Sequence, residues 1–154
     1  MRVLSSPLAE PVADASDSLK FLDSMRLFAI ALFGALGAIS RYGASVFIAR
    51  LLPATSPERV AFPWSTLIIN VVGSFLLAIV VTLVAQRVLD ESWRYALGVG
   101  FLGAFTTFST FSVEADEMIQ CGLWTTAAFY IGCSVVLGVL AVVAGRALAL
   151  RVIL

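Results

Sequence analysis

The chain has 154 residues, of which 60% are hydrophobic and 13% charged, and its formal net charge is zero. A water-soluble domain of this size needs more polar surface than this composition provides, and a neutral chain has no electrostatic footprint for nucleic acid. The sequence also contains no histidine, which removes the most common general base and metal ligand and argues against most enzyme classes.

The first 24 residues are polar and acidic and contain Pro7 and Pro11. This composition predicts a disordered N-terminal tail, because such a segment has too little apolar surface to bury. A second interpretation stays open, in which the chain begins at Met25. The apolar stretch that follows is too long for the hydrophobic region of a signal peptide. Residues 25–150 therefore form the predicted membrane domain.

Four hydrophobic stretches fill the membrane domain, and each is long enough to cross a bilayer as a helix. The sequence thus predicts an all-α integral membrane protein. Lys and Arg residues near the span ends are concentrated on the side of the two termini, which predicts that both termini lie in the cytoplasm. The predicted location is the inner, or plasma, membrane of the cell. The predicted spans are residues 27–52, 64–85, 94–118 and 123–148. The basic residues are Lys20, Arg26, Arg87, Arg94, Arg146 and Arg151 on that side, and Arg50 and Arg59 on the other.

One polar side chain inside each of the first two spans has two possible interpretations. Arg41 lies too far from Arg26 to anchor the same interface, so it either extends toward the far interface or places a positive charge at the mouth of an anion path. Asn70 lies within the second span. Its amide either joins two helices or donates hydrogen bonds to an anion.

The third span gives the strongest indication of a functional site. From Tyr95 to Val113, eight of 19 residues are Gly, Ser or Thr, which form helices poorly or compete for backbone hydrogen bonds. Membrane backbone leaves the helix only where protein or water satisfies its freed groups. We therefore expect an interruption within Gly103–Phe111, and with it a binding site. Freed carbonyls favour a cation, whereas hydroxyl donors and helix N-termini favour an anion.

Aromatic and polar residues follow this stretch in both remaining spans. Phe residues recur at every third position, at 105, 108 and 111, and this spacing is typical of plain packing. Aromatic ring edges also carry partial positive charge, so they suit weak contact with an anion. Glu114 and Glu117 are typical of a solvated helix end, whereas Tyr130 and Ser134 share one helix face as a weak polar track.

Three motifs in order resemble the Fluc (CrcB-like) fluoride channel family. Residues 34–42 (GALGAISRY) are similar to the family's GxxGAxxRY, and residues 66–75 (TLIINVVGSF) to its TLxVNxxGSF. Residues 100–112 (GFLGAFTTFSTFS) are close to its GFxGGxTTFSTFS. The resemblance covers all four spans and excludes the N-terminal tail.

This resemblance implies a fluoride-specific ion channel that passively exports fluoride, formed by an antiparallel homodimer with dual topology and a broken third helix. It implies a structural Na⁺ at the dimer centre, held by the backbone carbonyls of Gly103 and Thr106, and a vestibule arginine at Arg41. The fluoride pathway that it implies consists of Asn70, Phe108, Phe111, Ser109, Thr110, Tyr130, Ser134 and Glu114.

Two features depart from the family pattern. Gly138 stands where members often carry another hydroxyl one turn beyond Ser134, and the charge bias between the two sides is larger than a dual-topology protein usually shows. The bias leaves room for a non-conducting or heterodimeric partner subunit. A small multidrug exporter is a further alternative, but it needs a carboxylate in the first span, and residues 27–52 contain none. An intramembrane enzyme lacks histidine and a buried carboxylate beside a nucleophile.

Overall fold

The computed structural model describes residues 15–52 and 61–153, and all regular structure in this part of the chain is helical. Four helical stretches there are long and apolar enough to cross a membrane. This confirms the predicted all-α architecture of a multi-pass membrane protein. The elements are α1 (Ala15–Leu51), α2 (Trp64–Ala85), α3 (Glu91–Trp93), a π-helical segment (Arg94–Leu102), α4 (Gly103–Phe105), α5 (Phe108–Gln120) and α6 (Trp124–Ile153).

The second span coincides with the prediction, whereas the first differs. Helix α2 covers the predicted residues 64–85, but α1 begins at Ala15 and so includes residues 15–24 of the predicted disordered tail. The reason lies in Leu19, Leu22 and Met25, which recur at helical spacing and continue the apolar pattern of the span toward its N-terminus. The remainder of the predicted tail, residues 1–14, lies outside the described residues.

Close helix packing depends on small residues at the contacts. Helix α2 packs most extensively on α6, and α1 packs chiefly on the π-helical segment. A Cβ on Gly145 would collide with the backbone carbonyl oxygen of Phe75, and one on Gly37 with that of Phe101. Helices in membranes associate closely where glycine allows the backbones to approach. These two contacts therefore set the spacing on which the site depends.

A buried cluster joins the beginnings of α2 and α6 to the end of α5. It consists of Leu67, Ala115, Met118, Ala127 and Tyr130, of which Met118 and Tyr130 are fully buried. The cluster fixes the position of α5 and so holds the C-terminal end of the segment that precedes it.

The start of the predicted first span, within α1, contacts the start of the third span. The guanidinium of Arg26 lies over the ring of Tyr95, 4.9 Å from its centroid. Spans one and three therefore enter the membrane from the same side, as the predicted topology requires. Such a cation–π contact contributes about 0.5–2 kcal/mol.

Candidate ion pathway at the broken third span

The third span is broken at two threonines between α4 and α5. Thr106 has φ −80° and ψ 158°, and Thr107 has φ −148° and ψ 115°, so both lie in the extended region. Thr107 then caps α5, because its Oγ1 accepts a hydrogen bond from the Thr110 N–H at 3.2 Å, while its hydroxyl donates to the Thr110 Oγ1 at 2.9 Å. The break thus falls within the predicted stretch, and the new helix begins with a well-formed N-cap.

Asn70 of α2 holds the break in place. Its Nδ2 donates to the carbonyl oxygen of Thr107 at 3.0 Å, and its Oδ1 accepts from the N–H of the same residue at 2.8 Å. One side chain therefore satisfies both backbone groups of an extended residue, as non-helical backbone in a membrane requires. The Nδ2 group carries two hydrogens, so it retains one for a further acceptor.

Gly73 makes room for the break on the same helix. A Cβ at this position would collide with the Thr106 side-chain methyl. Thr106 cannot easily turn away, because its Oγ1 donates to the Leu102 carbonyl at 2.9 Å. Asn70 and Gly73 therefore act together, the first by binding the break and the second by letting it approach α2.

The hydrogen bonds at the break release two backbone carbonyls. In a continuous α-helix the Thr107 N–H would donate to Gly103 and the Thr110 N–H to Thr106. Here the Thr107 N–H donates to Asn70 and the Thr110 N–H to the Thr107 hydroxyl. The carbonyls of Gly103 and Thr106 thus lose their helical donors. Carbonyl oxygens that accept no helical hydrogen bond are suitable ligands for a hard cation such as Na⁺.

A cleft of about 270 Å³ lies beside the break, between α2, α5 and α6. The Ser134 hydroxyl in its wall is buried and has no hydrogen-bond partner among the residues that the structure describes. Every residue that lines the cleft is uncharged. The cleft wall is made of hydrogen-bonding side chains together with apolar and aromatic ones. The lining residues are Asn70, Ser74, Leu77, Thr106, Thr107, Phe108, Phe111, Ser134 and Val135.

The three regularly spaced phenylalanines do not share one environment. Phe105 precedes the break and stacks on Phe101 with ring centroids 6.0 Å apart. Phe108 and Phe111 follow the break and line the cleft, with centroids 5.7 Å apart. The Phe111 ring also packs on Tyr130 at 5.2 Å, whereas 79% of Phe108 is exposed. The break therefore converts a uniform stripe into one packing residue and two cleft residues.

Glu114 and Glu117, predicted together as a solvated helix end, are separated by the structure. Glu117 is exposed, whereas Glu114 is half-buried. One carboxylate oxygen of Glu114 accepts from the Thr66 hydroxyl at 2.8 Å, and the other accepts from the Tyr130 hydroxyl at 2.7 Å. Glu114 thus ties α5 to both α2 and α6, next to the ring of Phe111.

The remaining predicted residues lie on other sides of the break. Arg41 lines a second cleft of about 240 Å³ together with Tyr42, Thr66 and Thr110. Ser109 is exposed, and its Oγ is 3.4 Å from the Thr107 Oγ1. Arg41 and Thr110 therefore do not share the cleft of Phe108 and Phe111, although Thr107 borders both clefts.

Three polar residues of the site are absent from the sequence-based assignment: Thr66, Ser74 and Thr107. A signal for two of them exists, because Thr66, Asn70 and Ser74 follow one another at intervals of four and so share one face of α2. Thr107 was visible as part of the polar stretch. Its partner on α2 becomes apparent only in three dimensions.

Comparison with known proteins agrees with this architecture. The chain is 46% identical to the fluoride-specific ion channel FluC of Saccharophagus degradans over 116 residues, which are 75% of this chain and 82% of that protein. It is 45% identical to FluC of Deinococcus radiodurans over 122 residues, 79% of this chain and 93% of the relative. It is 41% identical to FluC of Acidobacterium capsulatum over 130 residues, 84% of this chain and 99% of the relative.

The family match covers most of the described chain. Residues 28–146 match the family described as CrcB-like protein, Camphor Resistance (CrcB). The matched region includes the second and third spans, most of the first and fourth, the break and both clefts. The chain therefore belongs to the CrcB-like protein family.

Proposed function

We propose that this protein is a fluoride channel that passively releases fluoride from the cell and so relieves its toxicity. The observation that carries the proposal is the uncharged cleft at the broken third span. Within the described part of the chain, the buried Ser134 hydroxyl there has no partner and Asn70 retains an N–H without an acceptor. The names of the relatives as fluoride-specific ion channels support the choice of ion.

The chemistry of the cleft suits fluoride. This ion is small and holds its water tightly, so a pore must replace that water with other donors. Asn70 and Ser134 supply an N–H and an O–H, and Phe108 and Phe111 supply ring edges with partial positive charge. Because no lysine or arginine lines the cleft, binding stays weak enough for the ion to leave.

We propose further that two copies assemble as an antiparallel homodimer. Phe108, Ser109 and Thr110 are exposed on the single subunit, as is Gly103, although they belong to a segment within the membrane. Exposed hydroxyl groups and freed carbonyls are costly in lipid. A second subunit that covers this surface removes the cost and closes the cleft.

A structural Na⁺ at the centre of the dimer is the third part of the proposal. The carbonyls of Gly103 and Thr106 fit such an ion, because both have lost their helical donors and Gly103 lies at the exposed surface. Two subunits would contribute four oxygens. When bound, the ion supplies positive charge that joins the two breaks; it is not transported.

A second candidate function follows from the charge distribution. Six basic residues near the span ends lie on the side of the termini and two on the opposite side, a bias that favours one orientation in the membrane. If every copy inserts the same way, this chain would be one subunit of a heterodimer, or a non-conducting partner. The orientation experiment described in the Discussion separates this alternative from the homodimer.

The channel is tested by reconstitution. Purified protein in liposomes loaded with potassium fluoride should release fluoride to a fluoride electrode after valinomycin is added, and liposomes loaded with potassium chloride should release little chloride. Empty liposomes provide the background. Folded dimers that release neither anion would refute the channel, and equal release of both would refute its specificity.

A further inference from the structure

We propose that Ser74 is an additional fluoride donor of the pathway and supplies a hydroxyl beside Gly138, where α6 has none. The inference rests on the proposed fluoride channel and specifies a residue that the family resemblance does not assign. A donor at Ser74 would continue the polar track beyond Ser134, although position 138, one turn further along α6, is a glycine.

The track is formed by two helices side by side rather than by α6 alone. On α2, polar residues recur at every fourth position, at Thr66, Asn70 and Ser74. On α6, the corresponding positions are Tyr130, Ser134 and Gly138. Positions four apart share a helix face, so each helix presents one row to the other.

Contacts at both ends place the two rows in register. At one end, Thr66 and Tyr130 donate to the same carboxylate, that of Glu114. At the other end, a Cβ on Gly138 would lie 4.0 Å from the Ser74 hydroxyl oxygen. A side chain at position 138 and the hydroxyl of Ser74 would therefore occupy neighbouring space. At the third pair of positions, Ser74 and Gly138, only the α2 residue carries a hydroxyl.

Ser74 faces the cleft and differs from other hydroxyls in helical positions. Helical Ser and Thr often donate to the carbonyl one turn earlier, as Thr82 does to Ala78 at 2.7 Å and Ser112 does to Phe108 at 2.9 Å. Within residues 15–52 and 61–153, the Ser74 hydroxyl makes no such bond. It lines the same cleft as Ser134, whose hydroxyl is also without a partner.

Two unpartnered hydroxyls in one uncharged cleft favour an anion. Each can rotate its O–H into the cleft, and the described residues that line the cleft include no cation or carboxylate. A fluoride ion that leaves the Asn70 amide would thus meet Ser74 and Ser134 together, one turn along α2.

The test exchanges the hydroxyl between the two helices. Fluoride efflux from liposomes is measured for wild type, Ser74→Ala, Gly138→Ser and the double variant Ser74→Ala/Gly138→Ser. We expect Ser74→Ala to slow efflux by about tenfold or more, as for loss of one hydrogen bond to a charged group. The double variant should return to within about threefold of wild type, because the new hydroxyl enters the space beside position 74.

Controls separate the donor from a structural role. Thr82→Val removes an α2 hydroxyl that is satisfied by its own helix, and it should conduct as wild type does. If Ser74→Ala yields little folded dimer, Ser74→Thr and Ser74→Val replace it, since these side chains share a shape and differ in the hydroxyl. The Thr variant should then conduct faster.

The outcomes are distinct. Equal efflux from wild type and Ser74→Ala overturns the inference and leaves the channel intact, as does slow efflux that Gly138→Ser fails to restore. Absence of fluoride efflux from wild-type protein refutes the proposed function itself, and the inference falls with it.

Discussion

Asn70 shows how one side chain can serve two purposes at a membrane break. Its amide oxygen and one N–H satisfy the backbone of Thr107, which removes a cost of several kcal/mol for unpaired groups in lipid. The remaining N–H is held in a fixed orientation by these bonds. An amide fixed in this way offers a preformed donor to an ion, with little further loss of entropy on binding.

Phe108→Ile tests the role of the aromatic edge at the scale of a single residue. We expect fluoride efflux to fall by about tenfold or more, because isoleucine fills similar volume but lacks the positive ring edge. The measurement is the efflux rate from liposomes, with dimer content checked by gel filtration.

Phe129→Ile is the matched control for this change. Phe129 is also exposed but lies on α6, away from the cleft, so its replacement should leave the efflux rate within about twofold of wild type. If both variants conducted like wild type, Phe108 would be a packing residue and no part of the pathway.

The individual residues could be predicted from the sequence only in part. Phe108 and Phe111 were recognisable because the family motif carries them. The pairing of Asn70 with Thr107 joins residues 37 positions apart, and such a contact leaves no trace in local spacing. The same holds for Glu114, whose position near a helix end suggested exposure, whereas Thr66 and Tyr130 bind both of its oxygens.

At the scale of elements, the third span departs from a regular helix before the break is reached. Residues Arg94–Leu102 form a π-helix, and the Gly103 N–H donates to the carbonyls of both Gly98 and Gly100. The abundance of glycine predicted weak helix formation here. The segment packs closely on α1, where Gly100 lies against Phe33 and Ile30, and local sequence alone does not indicate its π-helical form.

Gly145→Ala tests the close packing of α6 on α2. The added Cβ would collide with the backbone carbonyl of Phe75, which cannot move without shifting α2. We expect destabilisation of about 1–3 kcal/mol, measured as a lower Tm of the purified protein in detergent.

Gly132→Ala is the control on the same helix. A Cβ there would meet no atom of the described residues within 4 Å, so the Tm should stay the same or rise slightly, as alanine favours the helix. A Tm loss of equal size in both variants would show that an added methyl group destabilises α6 wherever it is placed, and that the contact with Phe75 is not the cause.

At the scale of the whole molecule, the subunit looks incomplete. The surface around the break exposes Phe108, Ser109, Thr110 and Gly103. Water would satisfy the polar groups of such a surface on a soluble protein, but lipid cannot. The number and length of the spans were predictable from hydrophobicity. The identity of the partner surface depends on how two folded copies match, so the sequence of one chain indicates it only through family resemblance.

The orientation of the subunits can be measured at Cys121. This residue is exposed in the turn between α5 and α6, whereas Cys133 lies within α6. In a Cys133→Ala background, a membrane-impermeant maleimide applied to intact cells should label about half of Cys121, because an antiparallel dimer pairs one subunit of each orientation. Permeabilised cells should reach full labelling. Labelling of all copies or of none from outside would favour a heterodimeric partner.

The measurement that tests the account most directly is fluoride efflux from liposomes by wild type and Asn70→Asp side by side. A carboxylate cannot donate to the Thr107 carbonyl, and it places negative charge on an anion path. The account predicts fast efflux through wild type and Gln86→Glu, a control at the end of α2, and efflux slower by about 100-fold through Asn70→Asp. Equal rates in all three, or no efflux from folded wild-type dimers, would contradict it.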